Sequence, residues 1–416
     1  MDAALDADEV RGVPGARERF EARVRALEAF GHRGSATANE ARAAEYLAGE
    51  LRGLGLEPRM EPFAGLTSCG AAVLLHMAMA LVGAALVWTS PFASLALSLV
   101  ALVSILLENG GRMRLLSLLV PSSPSRNVEA RISPAGARAG RIVVLGHYDT
   151  QRTGLIWKEG LLSRIAPLLA RSPGPMKSPL FLPMVAMLLA PVAALLAIVL
   201  PGHALVTVLA LGVLAILGVT TVLLAEWAIG PFVPGASDNA TGAAAVLSVV
   251  ESWRADPVEG VELVALLTGC EESGLYGSAA WVRAHAGELC EVPTRFVNLD
   301  SFGYGRPRYL GCEHSLAGVP AKYPTDVVRA CAAAAQELGL EGAGPRALPV
   351  QSDAFPFLRA GVGGATILCF QDDGHMPNYH QLTDTSDRLD FDVAWQAVRY
   401  GEAVTRSLAG VTRASS

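Results

Sequence analysis

Apolar and polar positions alternate in two different ways along the chain. Two stretches carry no charged side chain at all, 46 residues from Pro62 to Leu107 and 48 from Ser178 to Ala225. One helical pass through about 30 Å of hydrocarbon takes ~20 residues, so each stretch has the length of two passes and a turn. Turn signals stand near the middle of both: Thr89-Ser90-Pro91 between 71–88 and 92–107, and Pro201-Gly202-His203 between 180–200 and 204–227. Proline lacks an amide donor and glycine costs backbone entropy, so both punctuate helices there. The pattern predicts two transmembrane helical hairpins, over 62–107 and 178–227, with Pro191 kinking the third span. Since each hairpin starts and ends on one side, the polar segments 1–61, 108–177 and 228–416 stay together as one domain.

In those polar segments the pattern is that of a globular α/β protein. A helix opens at Ser35 or Thr37 and places Ala44, Leu47, Ala48 and Leu51 on one face before Gly53 and Gly55 end it. Short apolar runs at 127–132, 142–145, 261–267, 296–299 and 365–370 predict strands. Helical patterns at 240–253, 278–286, 325–338 and 392–408 lie between and after them. Strands apolar on both faces, alternating with helices, imply a mostly parallel central sheet flanked by helices.

Composition narrows the partners. Only 17% of residues are charged against 51% hydrophobic, and the net charge is −6. No basic run or basic stripe interleaved with aromatics is present, which excludes nucleic acid as the expected partner and leaves the lipid bilayer. The six cysteines (Cys69, Cys270, Cys290, Cys312, Cys331 and Cys369) are scattered without C-x-x-C spacing and are expected as free thiols in a reducing compartment. The acidic start, Met1-Asp-Ala-Ala-Leu-Asp, lacks the basic region of a cleaved export signal. Arg112, Arg114, Arg164, Arg171 and Lys177 flank the hairpins on the domain side and the far turns carry no Lys or Arg, so a multi-pass protein with its domain facing the cytoplasm is expected. Residues 160–171 suit an interfacial amphipathic segment or a plain surface helix. Nothing in the pattern bears on oligomeric state.

Chemistry collects where the strands end. His147 and Asp149 follow 142–145, Glu271 and Glu272 follow 261–267, Asp300 follows 296–299, and His380 comes after the last strand. Asp238 stands in Gly235-Ala-Ser-Asp-Asn-Ala-Thr-Gly242 at the mouth of a helix. Ligands of open α/β sheets sit at the carboxyl ends of strands. Acids placed directly after wholly apolar strands are costly unless paired or metal-bound, and two histidines with several carboxylates on one rim suit a pair of divalent ions.

Five pieces carry a family resemblance: Leu145-Gly-His-Tyr-Asp-Thr150, residues 235–242, Thr268-Gly-Cys-Glu-Glu-Ser-Gly-Leu-Tyr-Gly-Ser278, Asn298-Leu-Asp-Ser301 and Tyr379-His-Gln-Leu-Thr-Asp-Thr385. From about Ser35 to its end the chain resembles the co-catalytic two-zinc aminopeptidases of clan MH, family twenty-eight, which include bacterial leucyl aminopeptidases, aminopeptidase Y and glutamate carboxypeptidase. The resemblance implies a zinc-exopeptidase fold, a peptide substrate and two zinc ions. It implies that His147 and Asp300 hold one ion, Glu272 and His380 the other, and that Asp238 bridges them. Asp149 is then the partner that orients His147, and Glu271 the general base. Gln351-Ser-Asp-Ala-Phe355 resembles the family's Ser-Asp-His stretch near the substrate pocket, with Ala354 where histidine is common. The two apolar blocks look like insertions in the domain's loops. Rival expectations are a catalytically silent membrane scaffold or receptor of this fold, a single-zinc glutaminyl cyclase-type acyltransferase, and an amide or N-acyl hydrolase acting on a non-peptide substrate.

Overall fold

The computed structural model describes residues 13–109, 113–158, 180–315, 319–340 and 342–414. Its strands are β1 (Arg59–Leu66), β2 (Ser122–Ile132), β3 (Gly140–His147), β4 (Val261–Thr268), β5 (Thr294–Leu299), β6 (Arg306–His314), β7 (Pro320–Lys322), β8 (Pro345–Leu348) and β9 (Gly363–Phe370). They form one sheet in the order β1-β2-β4-β3-β5-β9-β6-β7, with β8 paired to β6. The parallel part is the centre, β4-β3-β5-β9. The pairs β1-β2, β2-β4, β6-β9 and β6-β7 are antiparallel.

The central strands are buried along their length except at Arg295 of β5, and their alternation feeds two cores. Ile142, Val144, Leu263 and Leu267 point to the face covered by α1 (Ala16–Glu28), α2 (Ala38–Gly53), α7 (Gly242–Ala255), α9 (Thr325–Glu337) and α11 (Phe391–Ala414). Val143, Leu145, Val264 and Leu266 point to the other, where α8 (Tyr276–Ala284) and α10 (Ala354–Arg359) contribute Trp281 and Phe357. Thr37 caps α2, its hydroxyl accepting from the Glu40 amide.

Both uncharged blocks are helical hairpins: α3 (Cys69–Ala85) with α4 (Pro91–Asn109), and α5 (Phe181–Val199) with α6 (Ala204–Ile229). The first is inserted between β1 and β2, the second between β3 and α7. The first uncharged block begins inside β1, so residues 62–66 belong to the sheet; absence of charge alone does not separate an edge strand from a membrane helix. Pro191 lies inside α5 without ending it. Three helices, α4, α5 and α6, are long and apolar enough to cross a membrane, while α3 is shorter. Together the four form one bundle, with Met77, Ala80, Ala101, Met187 and Leu217 buried between them. The outer faces are apolar as well: Val103, Leu188, Val208, Leu211 and Val222 are exposed. The bundle is therefore apolar both between its helices and on its outer faces. Of the flanking cations, Arg114 is described; Arg112, Arg164, Arg171, Lys177 and the 160–171 segment lie outside the described residues.

Candidate metal centre

The side chains singled out from the sequence converge on one rim. His147 closes β3, Glu271 and Glu272 form the turn after β4, Asp300 follows β5, Asp238 lies in the irregular segment before α7, and His380 comes from the long loop after β9. His147, Asp238, Glu271, Glu272 and Asp300 line one small cleft together with Gln351 and Tyr379.

Asp238 sits between the two histidines. Its Oδ1 is 3.2 Å from His147 Nε2 and its Oδ2 is 3.2 Å from His380 Nε2. His147 Nε2 also lies 3.6 Å from Asp300 Oδ1, and His380 Nε2 lies 3.2 Å from Glu272 Oε2. One atom each from His147, Asp238 and Glu272 falls within 4.8 Å of the others. Ligand atoms ~2.1 Å from a tetrahedral zinc stand roughly 3.4 Å apart, which is the spacing found here.

Electrostatics tells the same story. Burial disfavours the charged imidazolium of His147, yet Glu271, Asp149, Asp238 and Asp300 together hold its pKa well above the ordinary value. Burial also opposes charge on His380, but Glu272 and Asp238 raise it to about 9. Burial and crowding push Glu272 up to about 7 and Glu271 well above the carboxylate range. Anionic groups are thus in excess, as a cation site requires. The ring nitrogens of His380 and the Oε1 of Glu272 are buried without a hydrogen-bond partner.

A second layer fixes these groups. Asp149 Oδ1 accepts from the Glu271 amide at 3.0 Å, and its Oδ2 accepts from the Glu272 amide at 3.2 Å and the Ser35 hydroxyl at 2.6 Å. The same carboxylate stands 3.5 Å from His147 Nδ1. Gln151 Nε2 donates to the backbone oxygen and Oε2 of Glu272. Asp384, from the Leu-Thr-Asp-Thr piece, accepts from the Ser237 and Asp238 amides at 2.9 and 3.1 Å; burial holds its pKa up at about 7. Gly235 has φ 66°, and a Cβ there would meet Thr150 Cγ2 at 2.4 Å and the Asp238 carbonyl at 2.5 Å, so the turn that presents Asp238 needs glycine.

Three contributors escape sequence reasoning. Arg33 is fully buried beneath the site and donates to the carbonyls of Leu27, Tyr148, Pro234 and Gly235; burial lowers its pKa to about 10, with Asp384, Asp149 and Asp238 opposing the fall. Asp353 accepts from the Thr268 hydroxyl at the end of β4. The Trp157 ring meets His380 edge-on at 4.4 Å and Trp227 of α6 at 5.5 Å. Only the Ser-Asp match around Asp353 left a trace in the sequence, because Arg33 and Trp157 lie outside every motif.

Comparison with known proteins yields one family profile and a set of similar folds. Residues 221–404 match the profile of peptidase family M28. No curated protein sequence matches the chain. Among solved structures, a zinc aminopeptidase from Bacillus subtilis is similar at 15% identity and TM-score 0.54, covering 96% of both chains. A glutaminyl cyclase from Fimbriiglobus ruber is similar at 14% identity and TM-score 0.53, covering 97% of this chain and 99% of its own. A Zn-dependent exopeptidase from Parabacteroides distasonis follows at 13% and 0.52, covering 94% and 97%. At such identities the likeness is one of fold. Residues 221–404 thus resemble peptidase family M28, on a fold like that of the zinc exopeptidases.

Proposed function

We propose that this protein is a membrane-anchored zinc exopeptidase of the aminopeptidase type, working with two metal ions. The observation that carries this reading is Asp238, whose two carboxylate oxygens each face a different histidine at 3.2 Å. His147 and Asp300 would hold one ion, Glu272 and His380 the other, with Asp238 shared. The Nε2 of His380 and the Oε1 of Glu272, buried without a hydrogen-bond partner, fit that role, since buried polar atoms are rarely left without one.

Zinc held by these residues would supply Lewis acidity and lower the pKa of a bound water towards neutrality. Glu271, in the same cleft and not counted among the ligands, takes a proton from the attacking water as the water's oxygen bonds to the scissile carbonyl carbon. Glu271 then delivers the proton to the leaving nitrogen as the C–N bond breaks. Its carboxylate is kept off the ligand set by the turn, whose two amides are both held by Asp149. Asp149 also keeps the His147 ring oriented so that Nε2 faces the cleft. The four-helix bundle anchors the domain in the bilayer, with the domain on the cytoplasmic side by its flanking cations.

The test uses full-length protein purified in detergent and a panel of aminoacyl and peptidyl fluorogenic substrates, with and without chelator. Glu271→Gln is expected to keep its zinc and lose a factor of ~10²–10⁴ in turnover, whereas Asp238→Ala loses the metal. A fully active Glu271→Gln enzyme defeats the assignment. Cyclisation of an amino-terminal glutamine by protein holding one zinc would select the acyltransferase reading instead, and absence of bound metal the silent scaffold.

A further inference from the structure

Where the first hairpin meets the catalytic domain there is a chamber of about 680 Å³, within the ~300–1,000 Å³ of sites that take drug-sized ligands. Ala72 and Val73 of α3 and Ile105 of α4 form its apolar wall, and Leu275, Tyr276 and Phe355 of the catalytic domain face them. Arg114, Arg283 and Arg359 also line it. Arg114 is committed to the Tyr276 ring, 4.7 Å from its centroid. Arg283 and Arg359 are exposed and, among the described residues, have no carboxylate within ion-pair distance. The chamber's acid, Glu108, forms no ion pair with either arginine; it is held by the hydroxyls of Ser104 and Ser117 and the Leu115 and Ser117 amides, with His76 at 3.5 Å.

The chamber continues the metal cleft. Gln351 lines both spaces, and its Nε2 donates to the Asn109 carbonyl at the end of α4 at 3.0 Å. Ser273, next to Glu272, belongs to the chamber wall. The cleft alone encloses about 40 Å³, room for the reacting atoms and little more. The rest of a bound chain must therefore lie in adjoining space, and the space past Gln351 has an apolar wall and two arginines without a carboxylate partner among the described residues.

We propose that the chamber is the subsite for the leaving part of the substrate, and that it selects short apolar peptides with a free carboxyl terminus, their side chains against α3 and α4 and their carboxylate against Arg283 and Arg359. The assignment rests on the metal-centre reading above for which bond is cut, and on the chamber's shape and charge for what is bound.

The experiment compares Ala-Leu-Phe as the free acid with its carboxamide, on full-length protein in phosphatidylcholine nanodiscs. Wild type should favour the acid in kcat/KM by about tenfold, the size of one charge-assisted contact. In Arg283→Gln/Arg359→Gln the acid-to-amide ratio should fall to about one. The ratio cancels any general loss of activity in the variant. Calorimetric titration of both peptides into zinc-loaded Glu271→Gln protein should show the same preference without turnover. If wild type cleaves neither peptide, the peptidase reading fails, and the titration still decides the chamber's preference. Equal handling of acid and amide by wild type, or a ratio that survives loss of both arginines, overturns the proposal. A preference erased when phosphatidylglycerol replaces phosphatidylcholine also overturns it, assigning the arginines to lipid headgroups.

Discussion

Asp149→Asn isolates what the layer behind the ligands does, because it keeps shape and removes charge. Asp149 receives three donors and faces a fourth group, the His147 ring nitrogen. An asparagine must point its amide nitrogen at one side. Towards Glu271 it would oppose both the Glu271 amide and the imidazole; towards Glu272 the Ser35 hydroxyl can turn and accept, leaving a single buried N–H, that of Glu272, unpaired. The second placement is the cheaper, and an unpaired buried donor costs about 1–3 kcal/mol. Since that donor belongs to a proposed ligand, the cost should fall on metal binding, equivalent to roughly a 10–100-fold weaker zinc affinity. Competition with a chromophoric chelator on purified full-length protein measures it, with Ser35→Ala, which removes one hydrogen bond, expected to lose less. Wild-type zinc affinity in Asp149→Asn would refute the reasoning.

Arg33→Met should lower stability by about 3–5 kcal/mol, because four buried carbonyls lose a charged donor at once; denaturant unfolding of the zinc-loaded protein reads this. Arg33→Lys should not rescue it, since an ammonium cannot match the planar fork that spans those carbonyls. Cys290 is exposed on the catalytic domain while the other cysteines are buried or partly so. A membrane-impermeant maleimide should label it in inside-out vesicles and not in intact cells, and the reverse pattern would place the domain outside.

The elements that the sequence announced are those in which one local rule dominates. Strands buried on both faces, such as β3 and β4, are runs of apolar residues bounded by polar ones, and the hairpins are marked by missing charge. The strand-end acids and histidines were legible because apolar strands deliver them to one rim. Edge elements were not: β6, β7 and β8 mix polar and apolar positions, and Pro345–Leu348 carries no pattern of its own. α1 was missed because its buried residues include Arg23, held between Glu50 and Glu251, so its inner face is not purely apolar. Arg33 was invisible for a related reason. Its partners are carbonyls from three separate segments, and no spacing rule connects Leu27 with Gly235.

The run of edge-on contacts from Trp227 through Trp157 to His380 bears on how this protein can be handled. Trp227 lies in the last turns of α6, and its indole nitrogen donates to the Arg152 carbonyl at 2.9 Å. A side chain proposed to grip zinc thus leans on an indole that itself rests on the apolar helical bundle. Excising the hairpins to obtain a water-soluble fragment would remove the backing of that imidazole. What looks like a detachable tether is part of the scaffolding of the reaction centre.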